Sequence, residues 1–174
     1  MTVLYIILGI AALFLFAGLL ISKDMNASRE IIINKPVDEV FNYIKYLKNQ
    51  QNYSKWATLD PDMKNEFRGT DGEPGFVNHW TGNKKVGEGE QEILRIDEGK
   101  ALHTELRFVK PFKSQAKSTI TTEAVDAGKT KVTWGFESKM NYPMNVMKLL
   151  MNLENSIGND FETGLSNLKT VLEK

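Results

Sequence analysis

The sequence predicts an α+β fold in which an antiparallel sheet packs against a long C-terminal helix, with one transmembrane helix preceding the domain. Three observations predict it: an uncharged apolar run at the N-terminus, a central region in which polar and apolar residues alternate, and a final segment whose apolar residues recur at helical spacing. We expect residues 1–23 to form a membrane anchor and residues 24–174 to form one folded domain.

The composition limits the chemistry available to the chain. Its 174 residues are 41% hydrophobic, which suits one domain with an apolar core. The 22 basic residues are matched by 22 acidic ones, so the basic excess typical of nucleic-acid-binding proteins is missing. The chain has no cysteine and only two histidines, which excludes disulfides and a multi-histidine metal site but leaves a mixed carboxylate metal site open. We expect no metal and no cofactor.

The N-terminal run is long enough to cross a membrane. Residues 3–21 carry no charged side chain, and a helix rising about 1.5 Å per residue would span the hydrocarbon core of a bilayer. A cleaved signal peptide is the main alternative, but no Lys or Arg precedes this unusually long run. A buried core helix is the third possibility. We favour a single-pass anchor, and Lys23, Arg29 and Lys35 after the span place the domain in the cytoplasm.

The domain begins with a strand and two short helices. The β-branched segment Ser28–Asn34 predicts the strand, and Pro36 then marks the start of an amphipathic helix of about three turns. Residues 49–57 are polar with two aromatic side chains and predict a second short helix or a turn, which Asp60 and Pro61 end.

Alternation with a period of two residues then predicts six strands joined by tight turns. Each strand turns one apolar row toward the core, and these rows include Phe76 and Trp80, Leu102 and Leu106, Ala116 and Ile120, and Val132, Trp134 and Phe136. In the strand over residues 90–97 this assignment puts Leu94 and Ile96 inside and Gln91 and Arg95 outside, although Ile93 breaks the alternation. The chain ends in one long helix, predicted from about Met144 to Leu172, with Glu154 and Gly158 inside its apolar stripe.

Five fragments, in this order along the chain, resemble the SRPBCC superfamily in its polyketide cyclase/dehydrase branch. The fragments are REIIINKPVDEVFNYI, YSKWATLDPDM, GNKKVGEGEQEI, GKTKVTWGF and GNDFETGLSNLK. The resemblance covers about residues 28–173 and extends to START lipid-transfer domains and the major birch pollen allergen. It implies a helix-grip fold: a curved seven-stranded antiparallel sheet around the C-terminal helix, two short helices closing one end, and an apolar cavity between sheet and helix.

The candidate ligand-binding residues lie on the inward rows, on the polar segment 49–57 and on the final helix. They are Trp56, Phe67, Asn78, Trp80, Thr104, Ser118, Trp134, Phe136, Met147, Met151, Glu154 and Phe161. The polar members, with Asn65 and Thr122 on the same rows, could present hydroxyl or amide groups to a ligand or be satisfied within the core. The aromatic residues and methionines could equally be ordinary core packing.

Glu154 is the sharpest polar signal, because a carboxylate within an apolar stripe is costly unless it is paired or faces a hydrated cavity. It could contact a ligand, act as an acid or base, or be satisfied by a lysine, a tryptophan N–H or a backbone donor. No catalytic residue is predicted, since His79 and His103 face outward without a nucleophile beside them.

Three functions are compatible with the sequence. The favoured hypothesis is a membrane-tethered module that binds a lipid-like or polycyclic apolar molecule. A cyclase or dehydratase that uses the same cavity is the enzymatic alternative. A protein-interaction or stress-response module is the third, and it would need an exposed apolar patch on outer strand rows that are instead charged.

Overall fold

A computed structural model describes residues 1–174, with the exception of the side chain of Ala11. Seven strands form one antiparallel sheet, in which β1 and β2 are the two edges and the order is β1-β7-β6-β5-β4-β3-β2. The strands are β1 (Asp24–Ile33), β2 (Lys64–Arg68), β3 (Val77–Thr81), β4 (Glu88–Asp97), β5 (Ala101–Lys110), β6 (Ser114–Asp126) and β7 (Lys129–Lys139). Because β1 pairs with β7, the first strand joins the far side of a six-stranded meander.

Helices cover one face of this sheet, and one further helix precedes the first strand. They are α1 (Thr2–Leu20), α2 (Val37–Ile44), α3 (Lys55–Thr58), α4 (Met147–Leu150) and α5 (Leu153–Leu172), with 3₁₀ helices at Leu47–Asn52 and Met144–Val146. The helix α5 packs against β1 and β7, while α2 packs against β6 and β7. The predicted helix-grip fold, a curved seven-stranded sheet around a long C-terminal helix, is therefore confirmed.

The core lies between the sheet and the helices. The amphipathic helix α2 buries Val40, Phe41 and Ile44, and it carries two acidic residues in its first turn, where the helix dipole favours negative charge. The inward rows of the strands and the buried face of α5 complete the core, with Ile93, Leu102, Val132, Leu165 and Leu168 almost fully buried. The alternation of buried and exposed residues along β6 and β7 follows the predicted rows.

The C-terminal helix is interrupted where the sequence predicts continuity. The chain is extended at Met151, with φ −128° and ψ 126°, and α5 begins anew at Leu153. Asn152 ends the interruption, because its side-chain oxygen accepts a hydrogen bond from the backbone N–H of Asn155 and so caps α5. The first turn of α5 thus contains Glu154, which the prediction had placed in the middle of a longer helix.

The strand β4 contains a β-bulge that reverses one predicted face. The pairing of β4 with β5 shifts register between Ile93 and Arg95, so Leu94 is the extra residue and is 45% exposed. Because side chains alternate between the two faces of a sheet, one inserted residue shifts the alternation, and the residues before it point to the face opposite to the one predicted. Gln91 therefore faces the interior with Ile93, and the prediction that Gln91 lies on the outer face and Leu94 on the inner face was wrong.

The N-terminal helix α1 is apolar on all sides and largely exposed. Among the residues that the structure describes it is the one helix whose length and composition would allow a membrane crossing. A signal sequence meets the same two criteria.

Candidate functional site

A cavity of about 260 Å³ lies between the sheet, the beginning of α5 and the segment that contains α3. Its walls come from six strands, from the 3₁₀ helix at Leu47–Asn52, from α3 and from α5. The strand residues are Asn65, Asn78, Trp80, Gln91, Leu106, Phe108, Ser118, Trp134 and Phe136. The remaining lining residues are Leu47, Gln50, Gln51, Ser54, Trp56, Ala57, Met63, Val86, Ile157 and Phe161.

An aromatic cluster forms the wall beside α5. The rings of Trp134 and Phe161 are stacked, with centroids 4.7 Å apart and planes 16° apart. The ring of Trp56 meets both rings edge-on, at 6.4 Å from Trp134 and 5.6 Å from Phe161. Trp134 Nε1 donates a hydrogen bond to Ser118 Oγ at 3.0 Å, which fixes the orientation of this indole ring.

A second aromatic wall lies on the neighbouring strands. Trp80 pairs with Gly89 across β3 and β4, and a Cβ at Gly89 would come within 2.5 Å of the indole ring. The glycine therefore makes room for Trp80 to lie flat over β4. The ring of Phe108 meets Trp80 edge-on at 5.9 Å and continues this wall along β5.

Polar groups interrupt the apolar lining at a few positions. Gln91 Nε2 donates to Thr104 Oγ1 at 3.2 Å, and Thr104 Oγ1 donates to the carbonyl oxygen of Ser118 at 3.2 Å. The amide oxygens of Asn65 and Asn78 are buried at the cavity and have no hydrogen-bond partner among the described side chains and backbone. These two groups have hydrogen-bonding capacity that the fold does not use.

The cavity lining carries no titratable side chain at any position described. Tyr53 lies behind this lining: its ring packs edge-on against Trp134 at 5.8 Å, and its pKa is raised by burial and by the neighbouring Tyr43. Within the described part of the chain, no cluster of three or more His, Cys, Asp or Glu side chains could hold a metal ion. The site can therefore enclose an apolar molecule, but its walls offer no general acid or base.

The structure brings seven of the sequence-predicted residues together at the cavity: Trp56, Asn78, Trp80, Ser118, Trp134, Phe136 and Phe161. It places five others elsewhere. Phe67 is 39% exposed on the edge strand β2 and stacks on Phe76. Thr104 is buried next to the cavity and bonded to Gln91, while Met147 and Met151 lie on α4 and at the helix interruption. A binding role for any of the twelve stays a prediction.

Glu154 lies away from the cavity. Its carboxylate pairs with Lys148 Nζ at 3.1 Å, and its side chain is 44% exposed. Because α5 begins at Leu153, this carboxylate also lies in the first turn, where the helix dipole favours it. Of the alternatives left open by the sequence, pairing with a lysine is the one that the geometry provides.

Sequence reasoning overlooked several lining residues. Gln91 was assigned to the outer face because the bulge at Leu94 carries no simple sequence signature beyond two adjacent apolar residues. Gln50, Gln51 and Ser54 belong to the polar segment that was interpreted as a short helix or turn. Their polarity gave no indication that this segment closes an apolar cavity.

The outer face of the sheet carries an ion-pair cluster opposite the cavity. Arg107 contacts Glu90 at 3.2 Å, Glu92 at 2.7 Å and Glu105 at 2.8 Å. The hydrogen bonds that Arg107 donates to Glu105 and Glu92 raise its pKa. Partial burial alone would raise the pKa of Glu90, but its hydrogen bonds with Arg107 and Arg68 outweigh burial and lower it.

Comparisons with known proteins place this geometry among related folds. A family profile described as polyketide cyclase/dehydrase and lipid transport matches residues 25–173. Comparison with curated proteins gives no significant match. Among solved structures, truncated norcoclaurine synthase from Thalictrum flavum aligns with a TM-score of 0.68 at 10% identity, over 87% of this chain and 94% of that chain.

Two further solved structures align over similar lengths. Protein CV1439 from Chromobacterium violaceum has a TM-score of 0.60 at 12% identity, covering 86% of this chain and 97% of that chain. Ara h 8.0201 has a TM-score of 0.56 at 15% identity, with coverage of 86% and 97%. At these identities the likeness concerns the fold, and the site must be interpreted from its own residues.

Proposed function

Because the chain belongs to the polyketide cyclase/dehydrase and lipid transport family, we propose that it is a membrane-tethered module that binds a lipid-like or polycyclic apolar molecule between the sheet and α5. The observation that carries the proposal is the aromatic cavity without titratable lining. Small-molecule sites are mostly apolar with a few placed polar groups, and this lining has that composition.

The volume of the cavity limits the size of the ligand that it can hold. A volume of about 260 Å³ lies just below the roughly 300–1,000 Å³ of typical ligand pockets. A compact molecule would fit inside, whereas a longer lipid would leave part of its chain outside. Phe161 and Ile157 on α5 and Trp56 on α3 border the space, so movement of either helix away from the sheet would enlarge it.

The junction between α1 and the domain supports the tethering part of the proposal. Asn145 Nδ2 donates to the carbonyl oxygens of Gly18 at 2.6 Å and Ile21 at 3.1 Å, and Asn145 is fully buried. A Cβ at Gly18 would come within 2.5 Å of the side chain of Val146, so this glycine permits the close packing. The last turn of α1 is thereby attached to the segment that precedes α4.

The same end of the molecule carries exposed apolar side chains. They are Tyr142, Met144, Leu149, Leu150 and Met151, each 40% to 69% exposed. Side chains of this kind beside a membrane helix suit the boundary between headgroups and acyl chains. A module held there would meet apolar ligands where they partition.

A cyclase or dehydratase is less well supported. Proton transfer needs an acid or base within hydrogen-bonding distance of the reacting group, and the described cavity lining offers none. Glu154, the carboxylate that the sequence singled out, pairs with Lys148 instead.

The binding proposal is tested with the full chain in a non-aromatic detergent. All three tryptophans of the chain line the cavity, so energy transfer from tryptophan to the neutral apolar probe N-phenyl-1-naphthylamine reports occupancy. We expect saturable transfer in the wild type and, because the larger ring fills the cavity, at least about tenfold weaker binding in Leu106→Trp. Because the added indole itself alters the energy-transfer signal, binding of the probe to this variant is also measured by competition and by equilibrium dialysis.

Leu94→Trp is the matched control, because it adds the same indole at the exposed bulge of the adjacent strand. It should bind the probe as the wild type does. Absence of saturable probe binding to the folded wild type, or equal binding by Leu106→Trp and Leu94→Trp, would contradict the proposal.

A further inference from the structure

The two residues with unpartnered amide oxygens lie on neighbouring strands of the sheet. Asn65 in β2 pairs with Trp80 in β3, and Asn78 in β3 pairs with Phe67 in β2. Asn65 and Asn78 are therefore diagonal neighbours, about 7–8 Å apart, and both line the cavity. Both amide oxygens are buried without a partner in the described chain.

Two other polar side chains of the cavity lining are engaged within the fold. Trp134 Nε1 bonds to Ser118 Oγ, and Gln91 Nε2 bonds to Thr104 Oγ1. Buried polar groups in folded proteins normally have partners, so an adjacent pair of orphaned acceptors is unusual. A donor supplied by a ligand would satisfy either of them.

The charge of the ligand is restricted as well. No described lining side chain is ionisable, so neither a carboxylate nor an ammonium ion would find a counterion in the cavity. Burying an unpaired charge costs far more than burying a neutral hydroxyl that hydrogen-bonds to an amide. The cavity chemistry thus disfavours both signs of charge.

We propose that the cavity selects a neutral apolar molecule bearing a hydroxyl or N–H donor, which donates a hydrogen bond to the amide oxygen of Asn65 or of Asn78, over fatty-acid anions and charged headgroups. This inference rests on the proposed binding function and names the chemistry of the ligand. The rest of the ligand lies against the rings of Trp80 and Phe108.

The test compares four ten-carbon competitors against bound N-phenyl-1-naphthylamine on the full chain at pH 7.5: 1-decanol, decanoate, decylammonium and 1-chlorodecane. Concentrations are expressed as free aqueous values after partition into detergent is measured. We expect decanol to compete at least about tenfold better than either ion, and about fivefold better than chlorodecane, which has no donor.

The double variant Asn65→Leu/Asn78→Leu should bind decanol and chlorodecane equally while retaining the probe. Its thermal unfolding midpoint should not fall, because replacing an unsatisfied buried amide by an apolar group of similar shape removes an unpaired acceptor. Gln115→Leu, which removes an exposed amide from β6 outside the cavity, is the matched control and should keep the wild-type preference.

The outcomes separate the two proposals. Failure of the probe to bind the wild type would overturn the binding function itself. Probe binding combined with equal competition by decanol, decanoate and chlorodecane would overturn this inference alone. The wild-type comparison decides the matter even where the double variant does not fold.

Discussion

Single side chains set the shape of the cavity. Trp134 is buried, bonded to Ser118 and stacked on Phe161, so it acts as a fixed wall. The alternation of β7 predicted that Trp134 faces inward, because a strand with one wet face shows its inner row directly in the sequence. The partner of its N–H was not predictable, since Ser118 comes from another strand whose register is a tertiary property.

Replacing Trp134 by Phe should lower the free energy of unfolding by about 2 kcal/mol, because packing volume and the hydrogen bond to Ser118 are both lost. Trp56→Phe is the matched control, since Trp56 is only partly buried, and it should cost under about 1 kcal/mol. Urea unfolding of the full chain followed by circular dichroism measures both changes. Equal losses would contradict the role given to the Trp134 hydrogen bond.

The Arg107 cluster gives a prediction for pH dependence. The pKa of Glu90 is lowered in the folded protein, so its stabilising contribution is present above its ordinary value of 4.5 and is lost as the pH falls through the lowered pKa. Without Arg107, the carboxylates of Glu90, Glu92 and Glu105 would repel one another, and the pKa of Glu90 would no longer be lowered by its hydrogen bond with Arg107. Arg107→Leu should therefore be less stable than the wild type at pH 7. Between about pH 5 and pH 3 it should lose less stability than the wild type does.

The thermal unfolding midpoints of the wild type and Arg107→Leu, measured across that pH range, check the direction of this change. Arg95→Leu serves as the control, because it removes an exposed arginine whose pairing with Asp97 lies outside the cluster. If the midpoint of Arg107→Leu changes with pH by the same amount as that of the wild type, this account of the cluster is wrong.

At the scale of elements, the sequence predicted the order of strands and helices because the change from a period of 2 to a period of about 3.6 residues is visible locally. It missed two irregularities. The bulge at Leu94 turned Gln91 inward, and the cap at Asn152 divided the final helix. Each depends on how the segment pairs or packs, so hydrophobic periodicity alone contains too little information to locate it. The first error left Gln91, which lines the cavity, out of the candidate site residues, and the second fell on Glu154, which was among them.

Two glycines of α5 should respond in opposite ways to alanine. A Cβ at Gly164 would lie 2.9 Å from the buried ring of Trp134, whereas a Cβ at Gly158 would meet only the guanidinium end of Arg29, which can move. Gly164→Ala should cost about 1–3 kcal/mol and shrink the cavity as Trp134 is displaced. Gly158→Ala should be neutral or stabilise the helix by up to about 1 kcal/mol.

Unfolding titrations and probe affinity of the two variants are measured side by side. If Gly164→Ala matches Gly158→Ala in both properties, the close contact between α5 and Trp134 is not a determinant of the cavity.

At the scale of the whole molecule, Asn145 bonds the domain to the last turn of α1. Apolar composition predicted the helix, but nothing in the sequence indicated that a buried amide more than a hundred residues later would bond to its last turn. Asn145→Ala should release this end of the domain, because its two hydrogen bonds to backbone carbonyls are lost. We expect trypsin to cleave after Lys23 several-fold faster in the variant.

Asn141→Ala is the control for that experiment, because Asn141 is exposed on the same segment. Its cleavage rate should equal that of the wild type. An unchanged rate in Asn145→Ala would show that the junction is held by other contacts.

The uncharged lining also has a consequence for where the protein can work. If neither the cavity nor a neutral guest gains or loses a proton, occupancy is uncoupled from acidity, and affinity should be constant between about pH 5 and pH 9. Equilibrium dialysis of the neutral probe across that interval measures it. Such a binder would load and unload alike in acidic and neutral compartments, so release would have to be driven by dilution or by a competing acceptor.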